Sequence, residues 1–431
     1  MMSFNRRLSA LFAAGALALA AACGGNGAGS SSDKTIDWWH IQSEEPMKSV
    51  WAKMAKDFEK AHPGVQIKIT ALQNEPFKAK MTTAGQSGNP PDLFQSWGGG
   101  VLQQQIDAGL VKDLTNDVKP WVDSVSPTAR EAYTIDGKIY GIPFDTGMVG
   151  FWYNKKLFAT AGISEPPATW TEFLDAVKKL KAAGITPIGL AGKEKWPGHF
   201  YWTYLAMRQA GKAGLDAAIA DGSFDGPDFV KAGENLAALA ALDPFQKGFL
   251  GAPYGEGAES QAALMGNGKV AIELMGQWAP ATQTGASGRE EERGIGDDLG
   301  FFPFPAVEGG KGAQTEILGG GNGFAVGGNA PPETVEFLEF IMKPENYRVA
   351  VENGSYIPVV EGTDDAYPDE RVQPLLETVS EATAFQLYLD QAYPPAVGET
   401  INDSTAALIA GEMTPDDVAK AIADTAKKEI Q

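Results

Sequence analysis

From Thr35 onward the apolar positions switch between two spacings. Ile36 and Trp38 alternate as in a strand, Met47, Val50, Trp51, Met54 and Phe58 fall on one helical face, and Val65, Ile67 and Ile69 alternate again. The chain therefore opens as a βαβ unit. Asn74 is placed to cap a helix carrying Phe77 and Met81, Pro90-Pro91 precedes a strand over 92–97, and a further helix runs from Val101 to a stop at Gly109. This alternation predicts an open, mainly parallel α/β sheet with helices on both faces. Ligands of such sheets sit beyond the carboxyl ends of the strands, here residues 40–45 and 95–100.

The grammar is interrupted once and then restarts. Asp136-Gly137, flanked by Tyr133, Ile135 and Ile139, is a two-residue hairpin signal. Pro143 and the polar Asp145, Thr146 and Gly147 follow, and the apolar run 148–153 then suits a strand buried on both faces. Residues 140–156 read as one lobe handing over to a second. Beyond them Thr169 and Glu172 form a capping box for a helix carrying Phe173, Leu174, Val177 and Leu180, with a strand over 185–190 and a loop over 191–199. Helices through Leu205 and Leu236 come next, and a strand over 270–275 ends at Gly276-Gln277-Trp278. The glycine-rich run 319–323 and a strand over 324–326 read as the return to the first lobe, followed by helices 333–342 and 344–353. Thr414-Pro415 opens a terminal helix. No internal repeat of fixed period is visible.

Composition narrows the partners. Of 431 residues 43% are hydrophobic and 21% charged, enough apolar material for two or three compact domains. A net charge of -20 argues against a nucleic-acid backbone or an anionic lipid surface, both of which need basic patches. With three His and one Cys there is no H-E-x-x-H pattern and no cysteine framework, and no Gly-Lys is followed by Ser or Thr, so neither a metal nor a nucleotide cofactor is predicted. The single Cys has a positional explanation. Arg6 and Arg7 precede the apolar run 8–22, too short to span a membrane comfortably and directly before Cys23. Residues 1–22 thus read as an export signal, and residues 24–32 as a Gly/Ser tether. An ordinary secretory signal with an incidental thiol is the alternative.

Several stretches resemble known families. Ala20-Ala21-Ala22-Cys23 resembles a bacterial lipoprotein cleavage box, which implies a lipid on Cys23 and residues 23–34 as anchor and tether at the extracellular face of the cell membrane. The Ile142-Pro143, polar gap and Tyr153-Asn154-Lys155 order, Gly268-Lys269-Val270-Ala271 before Trp278, and the glycine-rich return resemble the carbohydrate-binding proteins of bacterial ABC importers. WWHIQSEEP from Trp38, NEPFKAKM from Asn74, PPDLFQSWGGG from Pro90 and KEKWPGHFYW from Lys193 are similar to xylobiose and xylo-oligosaccharide binders. The resemblance implies a two-lobed periplasmic-binding-protein-like α/β fold of type II, with two open mixed sheets joined by a multi-strand hinge. The lobes would be residues 35–145 with 317–362, and 146–316 with 363–431. It also implies a monomer that closes on a short oligosaccharide and docks on the transmembrane subunits of an ABC permease.

The residues suit a sugar on chemical grounds as well. A pyranose has an apolar C–H face and a hydroxyl rim, so it calls for flat aromatic platforms edged by carboxylates and amides. Trp97 follows Gln95, Trp278 follows Glu273 and Gln277, Trp196 precedes His199, and Trp38-Trp39 leads into His40 and Gln42. Trp97, Trp196 and Trp278, beside Gly or Pro, are expected as platforms, whereas Trp38 and Trp51 are expected in the core. Glu44 and Glu45 either favour a helix start or meet ligand; Glu75 and Lys78 share a helix start near the cleft. Asp145 serves as hinge turn or hydroxyl acceptor, and Asn322 as turn former or contact. Tyr356 completes the candidates. Paired carboxylates among Glu45, Asp145, Glu194 and Glu273 would instead fit a glycoside hydrolase, the rival reading.

Overall fold

The computed structural model describes residues 34–353, 356–367 and 369–429. In chain order the strands are β1 (Lys34–His40), β2 (Val65–Ala71), β3 (Leu93–Ser96), β4 (Thr134–Ile135), β5 (Lys138–Ile139), β6 (Gly141–Pro143) and β7 (Gly147–Asn154). Then come β8 (Thr186–Ile188), β9 (Val270–Gly276), β10 (Leu299–Phe302), β11 (Glu316–Gly320), β12 (Gly323–Val326) and β13 (Ala384–Leu387). They form two separate sheets and one hairpin. The first sheet has the order β2-β1-β3-β12-β6; the second is β13-β11-β7-β9-β8, with β10 also paired to β7. This is the expected two-lobed α/β architecture.

The sheets are mixed rather than mainly parallel. β1 runs parallel to β2 and β3, as the βαβ opening requires, but β12 is antiparallel to β3 and β6, and β7 is antiparallel to β9, β10 and β11. Strand-helix alternation reports only strands joined by a crossover helix. A strand that arrives directly from the other sheet needs no such helix and can pair antiparallel.

The handover sits where the sequence placed it. Asp136 and Gly137 both take positive φ, 51° and 76°, and turn β4 into β5. β6 then ends in the first sheet and β7 begins in the second, separated by Phe144, Asp145 and Thr146. β11 and β12 make the reverse passage through Gly321 and Asn322. A third connection returns near Ile357, which bridges Thr146. The passages lie backbone to backbone. A Cβ at Gly319 would come within 2.1 Å of the Gly147 carbonyl oxygen, and one at Gly321 within 2.3 Å of that of Asp145.

Each sheet carries its own core. In the first, Trp38 and Trp51 are fully buried with ring centroids 5.6 Å apart, and Trp38 also meets Phe324 and Phe337 edge to face. Such aromatic pairs add about 0.5–1.5 kcal/mol each beyond their buried area. Helix Trp170–Ala182 starts with the predicted capping box: Thr169 Oγ1 accepts the Glu172 N–H at 3.3 Å, and Glu172 Oε2 accepts the Thr169 N–H at 3.1 Å. Asn74 differs from expectation. It is the first residue of helix Asn74–Gln86 rather than its cap; extended Gln73 precedes it and makes no side-chain cap.

A second difference changes the site. The expected loop over 191–199 ends at Lys195, and Trp196 and His199 stand in the first turn of a helix, Trp196–Asp221. Pro197 suits a first turn, where its missing N–H has no intrahelical role. The helix breaks at Gly211, whose φ of 71° and ψ of 162° are not helical. Just before the break, Arg208 is fully buried and donates to four backbone carbonyls, those of Phe304, Pro305, Gln314 and Glu316, at 2.9–3.2 Å.

Candidate functional site

A cleft opens between the two sheets above the passages. The first-sheet side contributes Gln42, Glu44 and Glu45 after β1, Gln73 and Asn74 at a helix start, and Trp97 after β3. Facing them from the second-sheet side are Glu194, Trp196, His199, Tyr254, Trp278, Tyr388 and Asp390. Asp145 and Asn322, from the two passages, form the floor, with Tyr356 beside them. Residues as far apart in sequence as Ile41 and Gln391 meet here because both sheets present their strand ends to the same gap.

The floor is a polar knot. Asp145 accepts the Asn322 backbone N–H, the Asn322 Nδ2 at 2.8 and 3.0 Å, and Gln277 Nε2 at 3.3 Å. Asn322 Oδ1 accepts Gln95 Nε2 at 2.7 Å, and Gln95 Oε1 reaches the Ile41 N–H at 3.4 Å. Burial pushes the Asp145 carboxyl up to about 7, against the pull of these donors. Asp145, Asn322, Gln95 and Gln277 are thereby fixed to one another across both sheets, and Asp145 and Asn322 also face the cleft.

Aromatic rings form the walls. Trp196 is 8% exposed; its Nε1 donates to Glu194 Oε2 at 3.0 Å, and its ring meets Tyr254 and Phe200, each at 5.5 Å. Glu194 also accepts the Tyr254 N–H at 2.9 Å, and burial raises its pKa despite both donors. Trp278 is half-buried at the head of helix Ala279–Ser287, with Tyr388 6.4 Å from its ring. Gly276 makes its position possible, since a Cβ there would come within 2.1 Å of the Trp278 ring. Trp97 meets Phe77 edge to face and lies 5.9 Å from the Lys78 ammonium.

One charged link crosses the gap. Lys78, on the first-sheet side, holds Asp390 at 2.8 Å and Glu75 at 3.5 Å. Burial alone would raise the pKa of Asp390, but Lys78 and His199 keep it well below the usual carboxylate range. His199 donates Nδ1–H to the Trp196 carbonyl at 2.7 Å, which leaves Nε2 toward Asp390 at 3.6 Å; burial lowers its pKa. Asp390, Tyr388 and Tyr254 are cleft residues absent from the sequence-based candidates. Tyr388 precedes, and Asp390 lies within, a four-residue helix, Leu389–Ala392, too short to leave a periodic signal.

Of the sixteen candidates, ten line the cleft: Gln42, Glu44, Glu45, Trp97, Asp145, Trp196, His199, Trp278, Asn322 and Tyr356. Glu75, Lys78 and Gln95 line a neighbouring cavity that shares Trp97. Glu45 is tied to its own helix, accepting Ser49 Oγ at 2.9 Å. His40, Gln277 and Glu273 do not line the cleft. His40 turns into the first core, 4.7 Å from the Trp38 ring, and burial lowers its pKa to about 3. Gln277 packs over Gly147 in the knot.

Glu273 lies within the second lobe, fully buried, and accepts Gln261 Nε2 at 3.0 Å and Gln283 Nε2. Burial pushes its carboxyl up to about 7. A carboxyl whose folded pKa lies above its unfolded value of 4.5 is best tolerated at low pH, and its cost grows as pH rises from 4.5 to 7. Glu273→Gln should therefore gain stability relative to the parent by about 3 kcal/mol between pH 4.5 and 8, on top of a constant cost for one amide left unpaired. Denaturant unfolding at pH 4.5, 6 and 7.5 reads this directly. A difference that does not change with pH would show that Glu273 ionises as freely folded as unfolded.

Known proteins share this arrangement. The chain is 26% identical over 307 residues to the multiple sugar-binding protein of Streptococcus mutans, covering 68% of each chain. It is 27% identical over 353 residues to the diacetylchitobiose binding protein DasA of Streptomyces coelicolor, 78% of each. A solved structure from work on xylan utilization by the thermophilic bacterium Caldanaerobius polysaccharolyticus superposes with a TM-score of 0.82 at 27% identity, covering 90% of this chain and 99% of that one. The family model for bacterial extracellular solute-binding proteins matches residues 42–348, and with two mixed sheets closing on an aromatic cleft this chain belongs to that family.

Proposed function

We propose that the protein is the solute-binding component of a bacterial ABC importer and captures a short oligosaccharide, xylobiose or a xylo-oligosaccharide, between its lobes. The observation that carries this reading is the cleft itself: indole faces of Trp97, Trp196 and Trp278 set among Gln42, Asn74, Asp145 and Asn322, contributed by both sheets. Flat apolar faces edged by amides and carboxylates match a pyranose, and walls from two lobes let ligand favour a closed arrangement. The relatives named for several sugars and for diacetylchitobiose support the class. The xylan-related structure supports a xylo-oligosaccharide within it. The lobes are proposed as 35–145 with 321–362 and 146–320 with 363–431; the pairing of β11 in the second sheet supports a return at residues 321–322 rather than 317.

The cleft carboxylates favour binding over hydrolysis. Asp145 is held by Asn322, Asp390 by Lys78, Glu194 by Trp196 and the Tyr254 N–H, and Glu45 by Ser49, so each already has a structural partner. Calorimetric titration with xylobiose, cellobiose, maltose and chitobiose tests the reading. Heat from xylobiose and little from maltose is expected. No heat from any of the four would overturn the oligosaccharide proposal, and reducing-sugar release would replace it with a hydrolase.

Delivery to permease transmembrane subunits by a lipid-anchored monomer completes the proposal. Cys23 lies outside the described residues, so its role rests on the sequence. Cys23→Ser should move the protein from the membrane fraction to the medium with sugar affinity unchanged, because a lipid chain supplies the anchor and the cleft does not involve it. Fractionation that still finds the variant on membranes would sink the lipoprotein assignment.

A further inference from the structure

Behind Trp97 lies a second cavity of about 700 Å³, against about 140 Å³ for the cleft. Small-ligand sites typically occupy roughly 300–1,000 Å³, so most of the room lies beyond Trp97. Both lobes wall it: helices Asn74–Gln86 and Gly99–Asp107 on one side, and Pro395–Ile409 on the other. Trp97, Asp390 and Gln391 line both spaces.

The chemistry of the lining is specific. Gln391 Oε1 and Asn402 Oδ1, in residues 3% and 4% exposed, have no hydrogen-bond partner among the described residues, nor does Gln105 Oε1 on the opposite wall. A buried amide oxygen without a donor costs about 1–3 kcal/mol, so these side chains gain by turning toward a ligand rich in hydroxyl groups. Among the described residues, Glu75, Asp390, Glu399 and Glu429 line the cavity against the single cation Lys78, a balance that disfavours an anion. Trp97 adds one flat aromatic face. Neutral, hydroxyl-rich and flat on one side is the description of another sugar unit.

We propose that this cavity receives further units of the oligosaccharide held in the cleft, with Trp97 as the platform between the two sets, so that the protein prefers chains longer than a disaccharide. The inference rests on the functional reading above. A chain leaving the cleft passes along Trp97, Asp390 and Gln391, and its hydroxyls donate to the amide oxygens beyond. Lobe closure then grips both ends, because each space has walls from both sheets.

The test is a length series. Xylobiose and xylotetraose, with chitobiose and chitotetraose in parallel, are titrated into the full chain and into Ala396→Trp and Gln105→Leu. Ala396 is exposed and lines the second cavity but not the cleft, so its replacement by Trp fills space without touching the core. The tetrasaccharide of the bound series should bind at least tenfold more tightly than its disaccharide. Both variants should remove most of that gain and leave disaccharide affinity within twofold. Equal affinity for the two lengths overturns the extension while leaving the sugar-binding reading intact. A gain that survives both variants also overturns it, since the added units would then lie elsewhere. Failure of every sugar to bind overturns both proposals together.

Discussion

Arg208→Ala should destabilise the protein by about 3–5 kcal/mol. The guanidinium is fully buried and anchors both ends of the segment between β10 and β11 by donating to Phe304, Pro305, Gln314 and Glu316 carbonyls. It also stacks over Tyr204 at 5.2 Å. Burial lowers its pKa to about 10, so it remains charged at neutral pH and its bonds are charge-assisted. Truncation leaves four carbonyls facing a void. The thermal midpoint should fall by on the order of 10 °C, taking a few degrees per kcal/mol for a large domain. Arg208→Lys should recover only part of this, since an ammonium cannot span the same fork of acceptors. A midpoint within about 2 °C of the parent for the alanine variant would mean that water satisfies the carbonyls at little cost.

Trp278→Ala should cost roughly 1–3 kcal/mol of sugar affinity, a loss of about tenfold to a hundredfold, with little effect on folding. The expectation follows from its place. The ring is half-buried, lies on the cleft wall, is let in by Gly276 and has Tyr388 as its edge neighbour. A Trp packed wholly in a core costs about 3–5 kcal/mol of folding free energy when truncated, as Trp38 should. Calorimetry and a thermal melt on the one variant separate the two roles. A large fall in midpoint with affinity retained would make Trp278 part of the core.

What could be read in the sequence was what has a local cause. Asp136-Gly137 and the Thr169 capping box are signalled by residues within a few positions of one another, and each is where expected. The side of the sheet that a strand-end residue faces is set by neighbours far along the chain. Glu273 and His40 follow the same strand-end logic as Trp278 and Gln42, yet Glu273 turns inward to Gln261 and Gln283, and His40 to Trp38. Asp390 was illegible for the same reason: its meaning comes from Lys78, 312 residues earlier. Trp196 and His199 are expected in a loop, because Gly198 and Pro197 look like breakers when they in fact occupy a first turn.

The bare backbone contact of Gly319 and Gly321 with Gly147 and Asp145 has a consequence for how such proteins diversify. At Gly319 and Gly321 the approach is to bare backbone, and the side chains that close around the passages, Gln277 over Gly147 and Tyr133 on the Gly321 carbonyl, bond to the passages themselves. The aromatic residues that line the cleft, Trp97, Trp196, Trp278 and Tyr388, stand on separate elements. Selection can rewrite the recognition surface freely while the moving part stays under a purely steric veto, and a single scaffold can thereby serve many diets.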